Sequence, residues 1–436
     1  MSWELVGDYI PGEEYVDLSG HAVAISRDGH YVVIGAILND GDDDSSKDFD
    51  LKGQARVFKR DPQNPSGWTQ IGGSIDGEEY VNFAGFSVAI SDDGKTVAIG
   101  AIGNDGDDDT VSIGDFVGNV RVFERDEENE VGWSQIGDNI NGVSQGGATG
   151  FSISMSGDGK RLTVGAPFDN DDGTVRMYER NNESSSGWDQ IGLTIDGIDP
   201  EGRAGWSVAM SGDGKVVAVG EPGNDQQTNE GGKVHVYKYD EGSWDPMGDY
   251  FGAGPTYNAG HSVSLSYDGH CLAIGQPGDD GDSASSSNDD VGSVVVLKYD
   301  TDGNMWNQVG DKINGIEDGD EFGYVVSLSD DGRTLAVGAT TESAPGYAAV
   351  FCLGKDDMNN DVWKLLGEVI PVMDVQNIPF PFLHPISLNM SGNGDFVAIG
   401  SPFSDMGRGT TGIYESPPSV ERRNRLEYWL RMVDTI

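Results

Sequence analysis

The apolar residues of this chain fall in short runs of four to six, never in long ones, and the runs recur in a fixed order. One stretch shows the grammar. Phe86-Ser87-Val88-Ala89-Ile90 and Thr96-Val97-Ala98-Ile99-Gly100 flank the turn Ser91-Asp92-Asp93-Gly94. Asn119-Val120-Arg121-Val122-Phe123 then alternates polar and apolar, the period of a half-buried strand. A polar stretch leads to Trp133-Ser134-Gln135-Ile136-Gly137. The pattern predicts four short strands, A to D, joined by turn-forming residues. No helical period runs through any of it.

The unit repeats seven times. Ser-x-Asp-Gly turns begin at Ser26, Ser91, Ser156, Ser211, Ser266 and Ser329, and a variant with Asn393 begins at Ser391, giving a period of about 61 residues. A Trp followed four residues later by Gly marks the same seven units: Trp3, Trp68, Trp133, Trp188, Trp244, Trp306 and Trp363. Four antiparallel strands repeated seven times predict an all-β, seven-bladed propeller over residues 1–416. A solenoid would use shorter units and dedicated caps. The ends support a ring. The chain opens on a D-type strand, Trp3 to Ile10, while the last unit has A, B and C strands (Ile386 to Met390, Phe396 to Gly400, Thr411 to Glu415) but no D. The first strand is expected to complete the last blade and remove an open sheet edge. Residues 417–436 differ: Leu426, Trp429, Leu430 and Val433 recur at helical spacing among Arg422, Arg423, Arg425 and Arg431, predicting a short amphipathic helix.

Composition changes the picture in one respect. The 436 residues hold 74 acidic and 27 basic side chains, a formal net charge of -47. That balance argues against nucleic acid and anionic membrane as partners, since both need clustered Lys and Arg. No run is long enough for a transmembrane helix, and the first residues lack the basic and apolar regions of a signal peptide. An intracellular protein, a mature form or an excised piece all fit. Cys271 and Cys352 lie in separate strand-like runs and read as buried free thiols.

The repeats resemble the FG-GAP repeat of integrin α-subunit propellers and related microbial and algal surface proteins. Phe322-Gly323 matches its first element, varied elsewhere as in Ala84-Gly85 and Thr149-Gly150. Gly165-Ala166-Pro167 matches the second in full, and Gly220-Glu221-Pro222, Gly275-Gln276-Pro277 and Gly400-Ser401-Pro402 keep its ends. The resemblance implies a propeller and an adhesion or recognition role at the cell surface or outside the cell, as a single propeller binding a protein or carbohydrate. Family repeats often carry a calcium loop between strands A and B. Here that loop is cut to a tight turn with too few oxygens for calcium, so Asp28, Asp93, Asp158, Asp213, Asp268 and Asp331 read as turn formers.

The acidic residues concentrate in the B–C loops, which leave each blade on the same side as the D–A connections. Asp40, Asp42 and Asp44, then Asp105, Asp107 and Asp109, then Asp279, Asp280 and Asp282, offer hard oxygen ligands for Ca²⁺. The match to a calcium loop is incomplete, because Ser45 and Leu51 stand where Gly and Glu are expected. A solvated face and a basic partner are the competing readings. Trp206, His21 and His261 replace Phe86 at the start of strand A, placing them at the channel mouth as candidate ligand contacts or as packing residues. No Gly-x-Ser-x-Gly elbow, Cys/His pair or His-rich metal motif occurs. The sequence favours non-catalytic recognition through an acidic loop face. A glycosidase- or esterase-like hydrolase with its site in the central channel is the alternative.

Overall fold

The computed structural model describes residues 2–40, 50–105, 115–126, 132–198, 201–225, 230–252, 257–280, 290–341, 346–372 and 385–417. The predicted tail helix lies outside them. The described residues form seven antiparallel sheets, six of them meanders in chain order and one that takes its outer strand from the N-terminus. The innermost strands are Ser19–Ile25, Ala84–Ile90, Ser152–Met155, Ser207–Met210, Ser262–Leu265, Val325–Leu328 and Ser387–Met390. Each touches the next, and the seventh returns to the first, so the ring is closed. The chain is a seven-bladed β-propeller.

In the first blade Ser19–Ile25, Tyr31–Ala36 and Gln54–Arg60 pair in turn. The outer strand is broken into Trp68–Gln70 and Ile75–Asp76, both paired with Gln54–Arg60. Gly72 sits at the break with φ of 75°. The fourth blade departs from this: its outer strand Ser243–Phe251 runs unbroken beside Glu230–Asp240. The N-terminal strand completes the last blade, with Leu5 opposite Tyr414 and Ile10 opposite Thr411.

Apolar cores lie between blades. Ala273, Val294 and Val296 of the fifth blade pack with Val326, Leu335 and Val337 of the sixth, all buried. The regularly spaced tryptophans stitch the outer rim. Trp188 Nε1 donates to the Ile136 carbonyl at 2.9 Å, and Trp68, Trp133, Trp244 and Trp363 make the same bond to Val6, Ile71, Ile191 and Val309. Each indole thus packs on the preceding blade and spends its polar atom there. At two seams the glycine four residues after the Trp leaves room for the next blade's indole: a Cβ on Gly192 or Gly310 would lie 2.5 or 2.9 Å from the Trp244 or Trp363 ring.

Nearer the axis, backbones meet directly. A Cβ on Gly165 would lie 2.2 Å from the Gly205 carbonyl oxygen of the next blade, and the same holds for Gly100 against Gly150 and Gly275 against Gly323. Ser152 Oγ donates to the Gly205 carbonyl at 2.7 Å across the same seam.

The A–B turns are built as their residues predict. Ser156 Oγ donates to Asp158 and accepts from the Arg161 amide, while Asp158 accepts from the Lys160 amide. Equivalent bonds hold the turns at Ser26, Ser91, Ser211, Ser266, Ser329 and Ser391. The two cysteines are free and half-buried, more accessible than the sequence suggests.

Two outcomes check this fold. Gly165→Ala wedges a methyl into a backbone seam and should lower stability by about 2–3 kcal/mol in denaturant melts; an unchanged midpoint would contradict the seam. Removing residues 1–12 exposes the edge of Thr410–Glu415, and should lower the melting temperature and promote self-association on size exclusion.

Candidate functional site

The residue after the glycine that opens each A strand faces the channel. These residues are His21, Phe86, Phe151, Trp206, His261 and Tyr324, with Ile386 at the seventh place. Their rings form a continuous belt. Successive centroids are 4.9 Å (His21–Phe86), 5.0 Å (Phe86–Phe151), 4.8 Å (Phe151–Trp206), 5.7 Å (Trp206–His261) and 4.5 Å (His261–Tyr324) apart. The structure therefore brings together the three mouth residues singled out from sequence. His21 is buried, and Trp206 and His261 are half-buried. Burial pushes the His261 imidazole down to about 4, against the Tyr324 carbonyl 3.1 Å from Nδ1. It is neutral at physiological pH.

The A–B end of the channel is capped. The second residue of each turn points to the axis. Backbone bonds join these residues blade to blade from Asp92 through Gly157, Gly212, Tyr267, Asp330 and Gly392 to Arg27. Across the axis the Arg27 guanidinium lies 4.1 Å from the Tyr267 ring centroid and pairs with Asp330 at 2.6 Å and Asp92 at 3.6 Å. Tyr267 OH donates to Asp92 at 3.2 Å. The glycines at this position make room, since a Cβ on Gly212 would lie 2.1 Å from the Tyr267 ring.

The opposite, loop-side end opens into a cavity of about 900 Å³ over blades one to three. Its floor continues the belt through Phe86 and Phe151. Its walls are Ile37, Leu38, Leu51, Phe83, Ile102, Phe116 and Phe168, and Glu14, Asp17 and Asp40 stand at its edge. The Phe83 and Phe116 rings stack at 6.2 Å. Asp17 is held in place: Oδ2 accepts from the amides of Glu13 and Glu14 at 3.0 and 2.8 Å. Burial nevertheless pushes its carboxyl above the usual range.

The B–C carboxylates divide by position. Asn39, Asn104, Asp169 and Asp279 begin these loops, and all four are buried. Asp169 accepts from Ser144, from Thr174 at 2.9 Å and from Arg176 at 2.6 Å. Burial opposes its ionisation, but these partners outweigh it and hold the carboxyl below its usual range. Asp279 accepts from Ser293 at 2.6 Å and Lys312 at 2.7 Å. Its oxygens serve the loop base. Asp40, Asp105 and Asp280 are half-buried beside these anchors. Asp42, Asp44, Asp107, Asp109 and Asp282 lie outside the described residues. Among the described residues no group of three or more His, Cys, Asp or Glu side chains has the arrangement of a metal site.

Two features escaped the sequence. Arg56 and Arg121 are buried in C strands and reach the preceding unit, donating to the carbonyls of Pro11 at 2.8 Å and Asp76 at 2.6 Å. At the same place in the fourth blade, His235 lies between Asp249 (2.8 Å from Nδ1) and Glu221 (3.1 Å from Nε2). Burial disfavours its charge, but the two carboxylates prevail and raise its pKa. The signal was Glu221, a buried acid standing where Gly165-Ala166-Pro167 has alanine.

No family model and no curated protein matches this chain. Among solved structures it is similar in shape to two putative 6-phosphogluconolactonases. The one from Bacteroides uniformis has a TM-score of 0.52 at 13% identity, covering 81% of this chain and 85% of that one. The one from Bacteroides fragilis has a TM-score of 0.50 at 14% identity, covering 81% and 84%. At such identities the likeness extends to the propeller fold alone. Fold and site together define a seven-bladed propeller with a channel capped at one end and an aromatic cavity at the other.

The belt carries a pH dependence. An imidazole with a folded pKa of about 4 against 6.5 unfolded contributes stability above pH 6.5, lost as pH falls toward 4. His261→Phe, which restores the residue found at Phe86 and Phe151, should flatten the fall in melting temperature across that window. Parallel wild-type and variant curves would contradict a neutral His261 in the belt.

Proposed function

We propose that the protein is a non-catalytic recognition propeller of the FG-GAP type that binds a basic protein partner through its loop face. The observation that carries this reading is the one-sided channel. The Arg27–Tyr267 cap restricts access to the loop side, where an apolar cavity is edged by carboxylates. Apolar walls with a few charged groups suit binding of a partner's side chains. The net charge of -47 supplies long-range attraction for a cationic surface.

The hydrolase alternative draws on the names of the two similar structures. A phosphorylated lactone is an anion, and the carboxylates at this cavity would repel it. Asp17, the most enclosed acid at the cavity, is fixed by the backbone amides of its own turn.

The test is binding of a short oligolysine to the full chain at low and moderate salt. Association that weakens steeply as salt rises is expected. Absence of binding at low salt would refute the face reading. Turnover of 6-phosphogluconolactone or an ester library, abolished by substituting Asp17 or Asp40, would replace it with the hydrolase.

A further inference from the structure

The repeats act as internal controls for one another, and the loop face breaks their symmetry. Three loop positions recur among the described blades with positive φ, which branched and bulky side chains disfavour. The first lies four residues before the glycine that opens strand A. It is Val16 (74°) and Val81 (57°) in the first two blades, but Gly146, Glu201 and Gly319 in the third, fourth and sixth. The second lies two residues before that glycine. It is Leu18 (54°) and Phe83 (55°), then Ala148, Arg203, Asn258 and Glu321. The third lies two residues before the glycine that starts strand C. It is Leu51 (50°) and Phe116 (41°), but Asp171, Asp290 and Gly407 in the third, fifth and seventh blades.

The fold therefore accepts Gly, Ala, Asn, Asp, Glu or Arg at these turns. Two adjacent blades instead place large apolar side chains there, and Val16, Leu51, Phe83 and Phe116 all line the cavity. Ring closure does not require them, because the other blades close without them. Nor are they all core: Val16 is 45% exposed, and the neighbouring Tyr15 and Tyr80 are 57% and 51% exposed. Leu51, Phe83 and Phe116 are half-buried, and apolar residues held at strained positions around a cavity mark a ligand clamp.

We infer that this sector is an anchor pocket for one large apolar side chain, aromatic or branched aliphatic, of a protein segment whose flanking residues are Lys or Arg. The inference rests on the reading that the loop face binds a basic partner, and adds what fixes that partner in place. Charge complementarity selects the flanks, since Glu14, Asp17 and Asp40 edge the pocket. The rim rings already carry cations of the chain's own. Arg408 lies 5.2 Å from the Tyr15 centroid and Arg203 lies 5.7 Å from that of Phe168.

The experiment uses the full chain and two fluorescent peptides, Lys-Arg-Trp-Leu-Arg-Lys and its control with Ala for Trp and Leu, read by anisotropy. Val16→Asn and Leu51→Asp install the kind of residue other blades use, and Asn and Asp accept positive φ readily. The anchored peptide should bind at least tenfold more tightly than the control. Each substitution should remove most of that difference while leaving the melting temperature unchanged or raised. Equal binding of the two peptides overturns the anchor but leaves the charged-face reading standing, and failure of both peptides to bind overturns both. A variant that melts lower yet keeps the tenfold preference shows the side chain to be packing, and also overturns the anchor.

Discussion

The architecture depends on how closely two backbones can approach at each blade seam. At six of the seven seams a glycine near the end of one blade's B strand lies against the carbonyl of the glycine opening the next blade's A strand, too close for any Cβ. A serine hydroxyl from the first blade of the pair, such as Ser152, satisfies that carbonyl. Removing side chains from the seam lets the inner strands converge on a narrow axis. Everything at the axis follows: the aromatic belt exists because six ring-bearing residues follow those glycines, and the cap exists because the A–B turns meet at the other end.

The same geometry makes the two faces unequal. At one face the second turn residues of all seven blades crowd together, and the combination of Gly157, Gly212 and Gly392 with Arg27, Asp92, Tyr267 and Asp330 fills the space without clash. At the other, longer connections splay outward and leave a cavity. Sevenfold repetition supplies the frame, and departures from it supply the site. The fourth blade carries a buried His235 where the first three have arginine, and the first two carry large apolar residues at turns that others fill with glycine, alanine or polar residues.

Much of the fold was legible because its signals are local. Ser156-Gly157-Asp158-Gly159 states its turn in four residues, and Trp188 with Gly192 states a seam contact in five. The missing D strand after Glu415 and the surplus one at Trp3 declared ring closure. The site was less legible because it is assembled across the ring. Nothing in a linear reading joins Arg27 to Asp330 or Tyr267 to Asp92, since these residues meet only when seven turns share an axis. Runs of like residues also hide their division of labour. Asp279 and Asp280 are equal in sequence, yet the first is wholly buried against Ser293 and Lys312, and the second is half-buried. Trp206 was recognisable as a substitute for Phe86, but not as a link in a belt reaching from His21 to Tyr324.

The central claim is that binding belongs to one sector of one face. Hydrogen exchange read by mass spectrometry, with and without the tryptophan-bearing basic peptide at saturation, tests it most directly. Protection is expected in segments 14–18, 50–53, 81–86 and 115–118, with the A–B turns around Asp92, Asp158 and Asp331 unchanged. Protection spread evenly over all seven blades, or centred on the turns at the capped end, would contradict it.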